Sequence, residues 1–166
     1  ISIQDTIKNF PLLEQLINKV ECVCHLAGIA EPKQYIDWPN KVIDITAGVG
    51  IRIIDLCRHT ERLFFFTSTS EIYGKNPNVP FTETVDRILG PTTTQRWCYA
   101  TSKSILEHYL DACALAKDIE YVTVRLFNVY GPRLRGRVVS AFLDQALAGR
   151  NLTIHGDGTQ TRCFTY

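Results

Sequence analysis

The chain has 166 residues, with 18 lysines and arginines against 17 aspartates and glutamates, a net charge of +1 with neutral histidines. Apolar residues make up 45% and charged residues 21%, globular proportions that exclude wholesale disorder. The near-zero charge gives no global pull toward nucleic acid or membrane, no run approaches the ~18 apolar residues of a spanning helix, and no basic stretch leads into an apolar one as in a secretory signal.

Residues 11–18 hold Leu12, Leu13, Leu16 and Ile17 at helical spacing, and Pro11 suits the first turn, where no backbone donor is needed. Residues 20–27 read as a buried strand running into a turn at Gly28. Residues 40–58 predict a second helix with a broad apolar face that includes Val42, Ile45, Val49, Ile53 and Leu56. Residues 62–68 have a continuous apolar centre, the pattern of a parallel strand buried on both faces. Residues 74–96, with Pro77, Pro80 and Pro91, read as a long loop, and loops of that length in compact domains are usually functional. A helix over 97–117, a strand over 121–127, a helix over 138–149 and a short strand over 151–154 complete the chain. Strand and helix alternate, which predicts an α/β fold with a parallel sheet. No internal repeat or domain boundary is visible. The sequence lacks methionine, opens at Ile1 and stops at Tyr166 without a cap, so a fragment truncated at both ends is expected.

Cys22, Cys24, Cys57, Cys98, Cys113 and Cys163 include no C-x-x-C pair. Most lie in apolar segments, where free cysteine acts as a small hydrophobe, and this fits a reducing compartment, the cytoplasm. Cys22, Cys24 and His25 invite a zinc reading. On a strand, however, His25 points away from the two thiols, and the spacing matches no common ligand set, so no metal is expected.

Three segments carry chemistry. Thr67-Ser68-Thr69-Ser70-Glu71-Ile72-Tyr73-Gly74 follows a predicted strand, the end at which open α/β sheets bind ligands. Its hydroxyls and carboxylate suit a polyhydroxylated substrate, or merely a polar turn. Tyr99 and Lys103 stand four apart, on one face of a helix. An ammonium beside a phenol favours the phenolate and makes it usable as an acid or base near neutral pH. The alternative is a surface lysine beside a core tyrosine. Asn128, ahead of Gly131-Pro132 at a third strand's end, can donate to a phosphate or sugar oxygen, or serve a turn.

Taken together and in this order, these segments make the chain resemble, over essentially its whole length, the extended short-chain dehydrogenase/reductases of the NAD-dependent epimerase/dehydratase family, which act on nucleotide sugars. The resemblance implies a Rossmann-type, doubly wound parallel sheet, with NAD as cofactor and a UDP-linked nucleotide sugar as substrate. His25-Leu26-Ala27-Gly28 is similar to the segment lining the family's NAD site, which assigns Leu26, Ala27 and Gly28, with Ser68, Tyr99 and Lys103, to the cofactor. Thr69 falls at the catalytic Ser/Thr position. Tyr99 and Lys103 match the Y-x-x-x-K pair, and Asn128 matches a diphosphate-binding asparagine. Gly156–Arg162 matches a segment whose arginine, here Arg162, meets the diphosphate, and Arg137 joins these substrate contacts. Ser70-Glu71, where dehydratases carry Asp-Glu, resembles the UDP-glucuronate decarboxylases, as does Arg96-Trp97, and places both residues among the catalytic set. A UDP-sugar 4-epimerase is the alternative.

The family's glycine-rich pyrophosphate turn has no counterpart, since Gly48-Val49-Gly50 sits in a helix pattern and follows no strand. The chain is therefore expected to be a partial NAD-binding domain, with 132–166 beginning the substrate-binding part. A non-catalytic nucleotide-binding module is the rival class. Arg133, Arg135 and Arg137 read as nucleotide contacts or a solvated loop, well ahead of nucleic acid. The resemblance also implies a homodimer formed through the helices over 40–58 and 97–117.

Overall fold

The structure, a computed structural model, describes residues 2–166. The elements are α1 (Phe10–Ile17), β1 (Cys22–His25), α2 (Pro32–Asp37), α3 (Pro39–Ile43), α4 (Val49–His59), β2 (Leu63–Thr69), α5 (Cys98–Leu115), β3 (Tyr121–Leu126) and α6 (Val138–Leu147). A π-helical turn, Asp44–Gly48, joins α3 to α4, and 3₁₀ turns lie at Ser70–Tyr73 and Gln95–Trp97. This is the expected α/β alternation. α1 starts where the sequence places it, because the Asn9 side chain accepts the Leu12 N–H at 3.3 Å and Pro11 occupies the first turn.

The sheet has the order β1-β2-β3, and β1 runs parallel to β2 from Cys22 opposite Leu63 to His25 opposite Phe66. The core lies on one side of it. Phe64 and Phe66 of β2 pack with Ile53, Ile54 and Cys57 of α4 and with Leu106, Leu110 and Cys113 of α5. The other side is more open than the apolar run predicts: Leu63, Cys22, Cys24 and Val122 are exposed and Phe65 is half-buried. The cysteines divide in the same way. Cys57 and Cys113 are buried, Cys98 is half-buried, Cys22, Cys24 and Cys163 are exposed, and all six thiols are free.

Helix α5 lies close on α4 because Gly50 has no side chain. A Cβ at Gly50 would stand 2.6 Å from Leu106 Cδ1, and Leu106 is itself fully buried. Gly50→Val is expected to cost about 1–3 kcal/mol by overpacking, measured as a lowered urea midpoint, whereas an unchanged midpoint would show that the two helices can part freely.

The long loop over 74–96 is held at several points. The Lys75 N–H donates to the Ile88 carbonyl at 2.8 Å, the Asn76 side chain donates to the Asp86 carbonyl at 2.7 Å, and Phe81 stacks on Tyr73 with ring centres 4.5 Å apart. Arg125 of β3 reaches the same loop, donating to the Glu83 carbonyl at 2.8 Å.

Two expectations fail locally. β1 is four residues long rather than eight, since only Cys22–His25 have a partner in β2. Residues 151–154 form no strand: Gln145 Oε1 accepts the Thr153 N–H at 2.9 Å and Gln145 Nε2 donates to the Thr153 hydroxyl at 3.1 Å, so side-chain bonds replace a ladder. α2 was not legible in the sequence. Leu126–Tyr166 form a second compact unit, with α6, a bridge between Val129 and Thr165, and Tyr130 edge-on to Phe164 and Tyr166.

Candidate active site

β2 delivers Ser68 and Thr69, both buried, to its carboxyl end. Thr69 is extended, and its Oγ1 accepts the Glu71 N–H at 3.2 Å, capping the Ser70–Tyr73 turn. As acceptor there, the hydroxyl keeps its proton to donate elsewhere. The turn packs on α5 and sets Glu71 within 3.1 Å of Arg96 Nη1, just ahead of that helix.

Tyr99 and Lys103 stand one turn apart in the first half of α5. Lys103 is 3% exposed. Its ammonium donates to the Thr67 carbonyl at 2.7 Å and lies 4.7 Å from the Phe66 ring centre and 6.0 Å from that of Tyr99. Burial lowers its pKa from the usual 10.5 to about 8, so it remains cationic at neutral pH. Tyr99 is buried, with its ring stacked on Tyr35 of α2 at 4.7 Å and 7°. That stack fixes the plane of the phenol.

His25, at the end of β1, is 4% exposed and stacks on Phe64 and Phe66. It turns away from the exposed Cys22 and Cys24, as alternation on a strand requires. Burial, and then the Lys103 charge, lower its pKa from 6.5 to about 4. Its folded pKa lies below its unfolded one, so the unfolded chain binds the extra proton first. Stability is therefore complete above about pH 6.5 and is lost as the pH falls to about 4, by on the order of 3 kcal/mol. His25→Gln is expected to flatten that part of a stability-against-pH curve, and an unchanged slope would place the acid sensitivity elsewhere.

The backbone at Gly28 passes beside this group. A Cβ there would lie 4.0 Å from Lys103 Nζ and 3.9 Å from Thr46 Oγ1. Thr46, on the π-helical turn, is 1% exposed, and its hydroxyl, like that of Ser68, has no hydrogen-bond partner among the described residues. Leu26 and Ala27 are exposed next to it. Open backbone, two unpaired buried hydroxyls and an ammonium are the groups that a ribose and a carboxamide would satisfy, so the donor set fits a nicotinamide nucleotide.

The structure thus gathers Thr69, Ser70, Glu71, Tyr99 and Lys103 around one sheet end, with Ser68 and Gly28 beside them. Asn128, Arg137 and Arg162 lie in the second unit and are exposed. Asn128 has a left-handed backbone (φ 20°), and its side chain donates to the Cys163 carbonyl at 3.0 Å, tying its loop to the segment that holds Arg162. Arg162 donates to the Thr161 carbonyl at 2.7 Å. Sequence reasoning missed Thr46 and Tyr35. Neither carries a motif, and α2, only six residues long, gave too little periodicity to place Tyr35.

Residues 3–166 match the NAD dependent epimerase/dehydratase family. The chain is 36% identical over 158 residues to the UDP-N-acetyl-alpha-D-glucosaminuronate decarboxylase of Bacillus cytotoxicus, covering 93% of this chain and 49% of that protein. It superposes on the UDP-N-acetylglucosamine 4-epimerase of Methanobrevibacter ruminantium with a TM-score of 0.89 at 28% identity, covering 99% of this chain and 53% of the other. On the UDP-glucuronic acid 4-epimerase of Bacillus cereus, solved with UDP-glucuronic acid and NAD, the TM-score is 0.83 at 30% identity, with 99% and 51% covered. The chain thus spans about half the length of these relatives. With residues 3–166 matched and the Tyr99–Lys103 pair set at the end of β2, the chain belongs to the NAD dependent epimerase/dehydratase family.

Proposed function

We propose that the polypeptide carrying this chain uses NAD to modify a UDP-linked sugar through a 4-keto intermediate, and that it decarboxylates UDP-glucuronate. The observation that carries this reading is the Tyr99–Lys103 pair one turn apart on α5, beside the Thr69–Glu71 turn.

Thr69 and Tyr99 hold the sugar 4-hydroxyl. Tyr99, as phenolate, takes its proton, and the buried Lys103 ammonium stabilises the phenolate charge. NAD, held by Leu26, Ala27, Gly28 and Ser68, would supply the two-electron oxidation at C4 and its reversal. The new C4 ketone is β to the C6 carboxylate. The C5–C6 bond then breaks, its electron pair enters an enolate on the C4 oxygen, CO₂ leaves, and C5 takes a proton. Ser70 and Glu71 flank this step. Asn128, Arg137 and Arg162 receive the nucleotide diphosphate.

A second reading, 4-epimerisation, has its own support: two of the superposed structures are UDP-sugar 4-epimerases. The Ser70-Glu71 pair favours decarboxylation. Pairing of two copies through α4 and α5 belongs to the same proposal, since Ile105 of α5 is exposed. So does a cytoplasmic location, which suits six free thiols. No helix of the described chain is long and apolar enough to cross a membrane.

The test is to incubate the full-length protein with NAD and UDP-glucuronate, and separately with UDP-glucose, and to read the products by mass. Loss of one CO₂ from UDP-glucuronate is the expected result. An unchanged mass with a new C4 isomer moves the protein to the epimerases, and no product from either sugar contradicts both readings.

A further inference from the structure

The Arg96 guanidinium is bound on two sides. Its Nη1 lies 3.1 Å from Glu71 Oε2, and its carbon sits 5.7 Å from the centre of the Trp97 ring. The Trp97 indole in turn rests on Gly90, where any Cβ would collide with it. Gly90, Trp97, Arg96 and Glu71 thus form a stack that spans the long loop. Within it, Glu71 stands two residues from Thr69 and Trp97 two residues from Tyr99. Side-chain exposures of 49% for Arg96 and 24% for Glu71 make the pair worth little as a stabilising bridge. Its effect is positional: it fixes a carboxylate on the turn that Thr69 caps, and it does so from the start of the helix that carries Tyr99.

We propose that Arg96 is a positioning residue that acts through Glu71, holding its carboxylate in register with Thr69 and Tyr99 for the chemistry after C4 oxidation. The inference rests on the functional reading above.

Two measurements on the full-length protein test it separately from that reading. The first is kinetic, with UDP-glucuronate and NAD. Arg96→Ala is expected to lower kcat by about 10- to 100-fold, the range a misplaced group costs, with KM changed less than about twofold. Arg96→Lys should recover most of the loss, and in a Glu71→Gln background Arg96→Ala should cost nothing more. An equal loss in both backgrounds, or a raised KM with unchanged kcat, overturns the proposal, the latter by making Arg96 a direct substrate contact. The second is hydrogen exchange of the Ser70–Gly74 amides, which needs no turnover. Arg96→Ala and Glu71→Gln should speed exchange there to the same extent, with Arg96→Lys near the parent. Unchanged exchange in Arg96→Ala overturns the positioning role whatever the substrate proves to be. Absence of turnover in the parent overturns the functional reading alone.

Discussion

Replacing Tyr99 with phenylalanine is expected to lower turnover of the nucleotide sugar by roughly 10²–10⁴-fold, the usual contribution of a positioned proton-transfer group. The substitution removes one oxygen and little else. Tyr99 owes its place to the stack on Tyr35 and to the apolar surroundings of Val42, and a phenylalanine ring keeps both. Folding and nucleotide-sugar binding should therefore survive, and the loss should fall on kcat rather than on affinity. Steady-state rates with calorimetric binding of UDP-glucuronate check this. Retained turnover would remove Tyr99 from the mechanism, whereas loss of binding in step with turnover would make it a substrate contact only. In the proposed mechanism Lys103 acts one step behind. Its ammonium is held on the Thr67 carbonyl under the Phe66 ring, so the charge near the phenol is fixed by β2 and does not depend on a mobile side chain.

Glu107→Ala is expected to produce the largest loss of stability, about 3 kcal/mol, because it strands a largely buried guanidinium. Arg125 and Glu107 side chains are 18% and 11% exposed, and the pair is bidentate, with Nε to Oε1 at 3.2 Å and Nη2 to Oε2 at 2.7 Å. The same guanidinium donates to the Tyr73 hydroxyl at 3.0 Å and to the Glu83 carbonyl, so one cation joins β3, α5, the turn after Thr69 and the long loop. Denaturant unfolding measures the loss. Replacing both partners together, Arg125→Met with Glu107→Leu, should cost less than Glu107→Ala alone, since no charge is left without a partner. A milder single variant would show that water reaches Arg125 and that the network holds the loop only loosely.

Much of the fold was legible because it depends on patterns that local sequence carries. Apolar spacing located α1, the helical stretch through α4, α5 and α6, and the β-branched and aromatic runs located β2 and β3. The failures have physical causes. Residues 151–154 have strand composition, but no neighbouring strand pairs with them, and Gln145 satisfies Thr153 instead. The apolar run in β2 predicts burial on both faces, whereas the described helices bury only the side of Phe64 and Phe66. The π-helical turn at Asp44–Gly48 leaves no mark in the sequence, yet it is where Thr46 turns inward beside Gly28.

The site was legible for a different reason. Tyr99 and Lys103, like Thr69 and Glu71, are neighbours in sequence, so a helix or a turn brings them together without tertiary help. Residues whose role depends on a distant partner were not readable in this way. Tyr35 meets Tyr99 across 64 positions, and Arg96 meets Glu71 across 25. Only folding of the long loop and of α2 brings these pairs together.

On the proposed mechanism the sugar is oxidised and then reduced at C4 within one turnover. UDP-glucuronate carrying deuterium at C4 tests it most directly, with the full-length protein, NAD and product analysis by mass and nuclear magnetic resonance. The expected result is slowed turnover and a product that keeps its deuterium at C4, whether CO₂ has been lost or the C4 configuration inverted. Loss of the label to solvent, or a product formed with no change at C4 and no isotope effect, would contradict it.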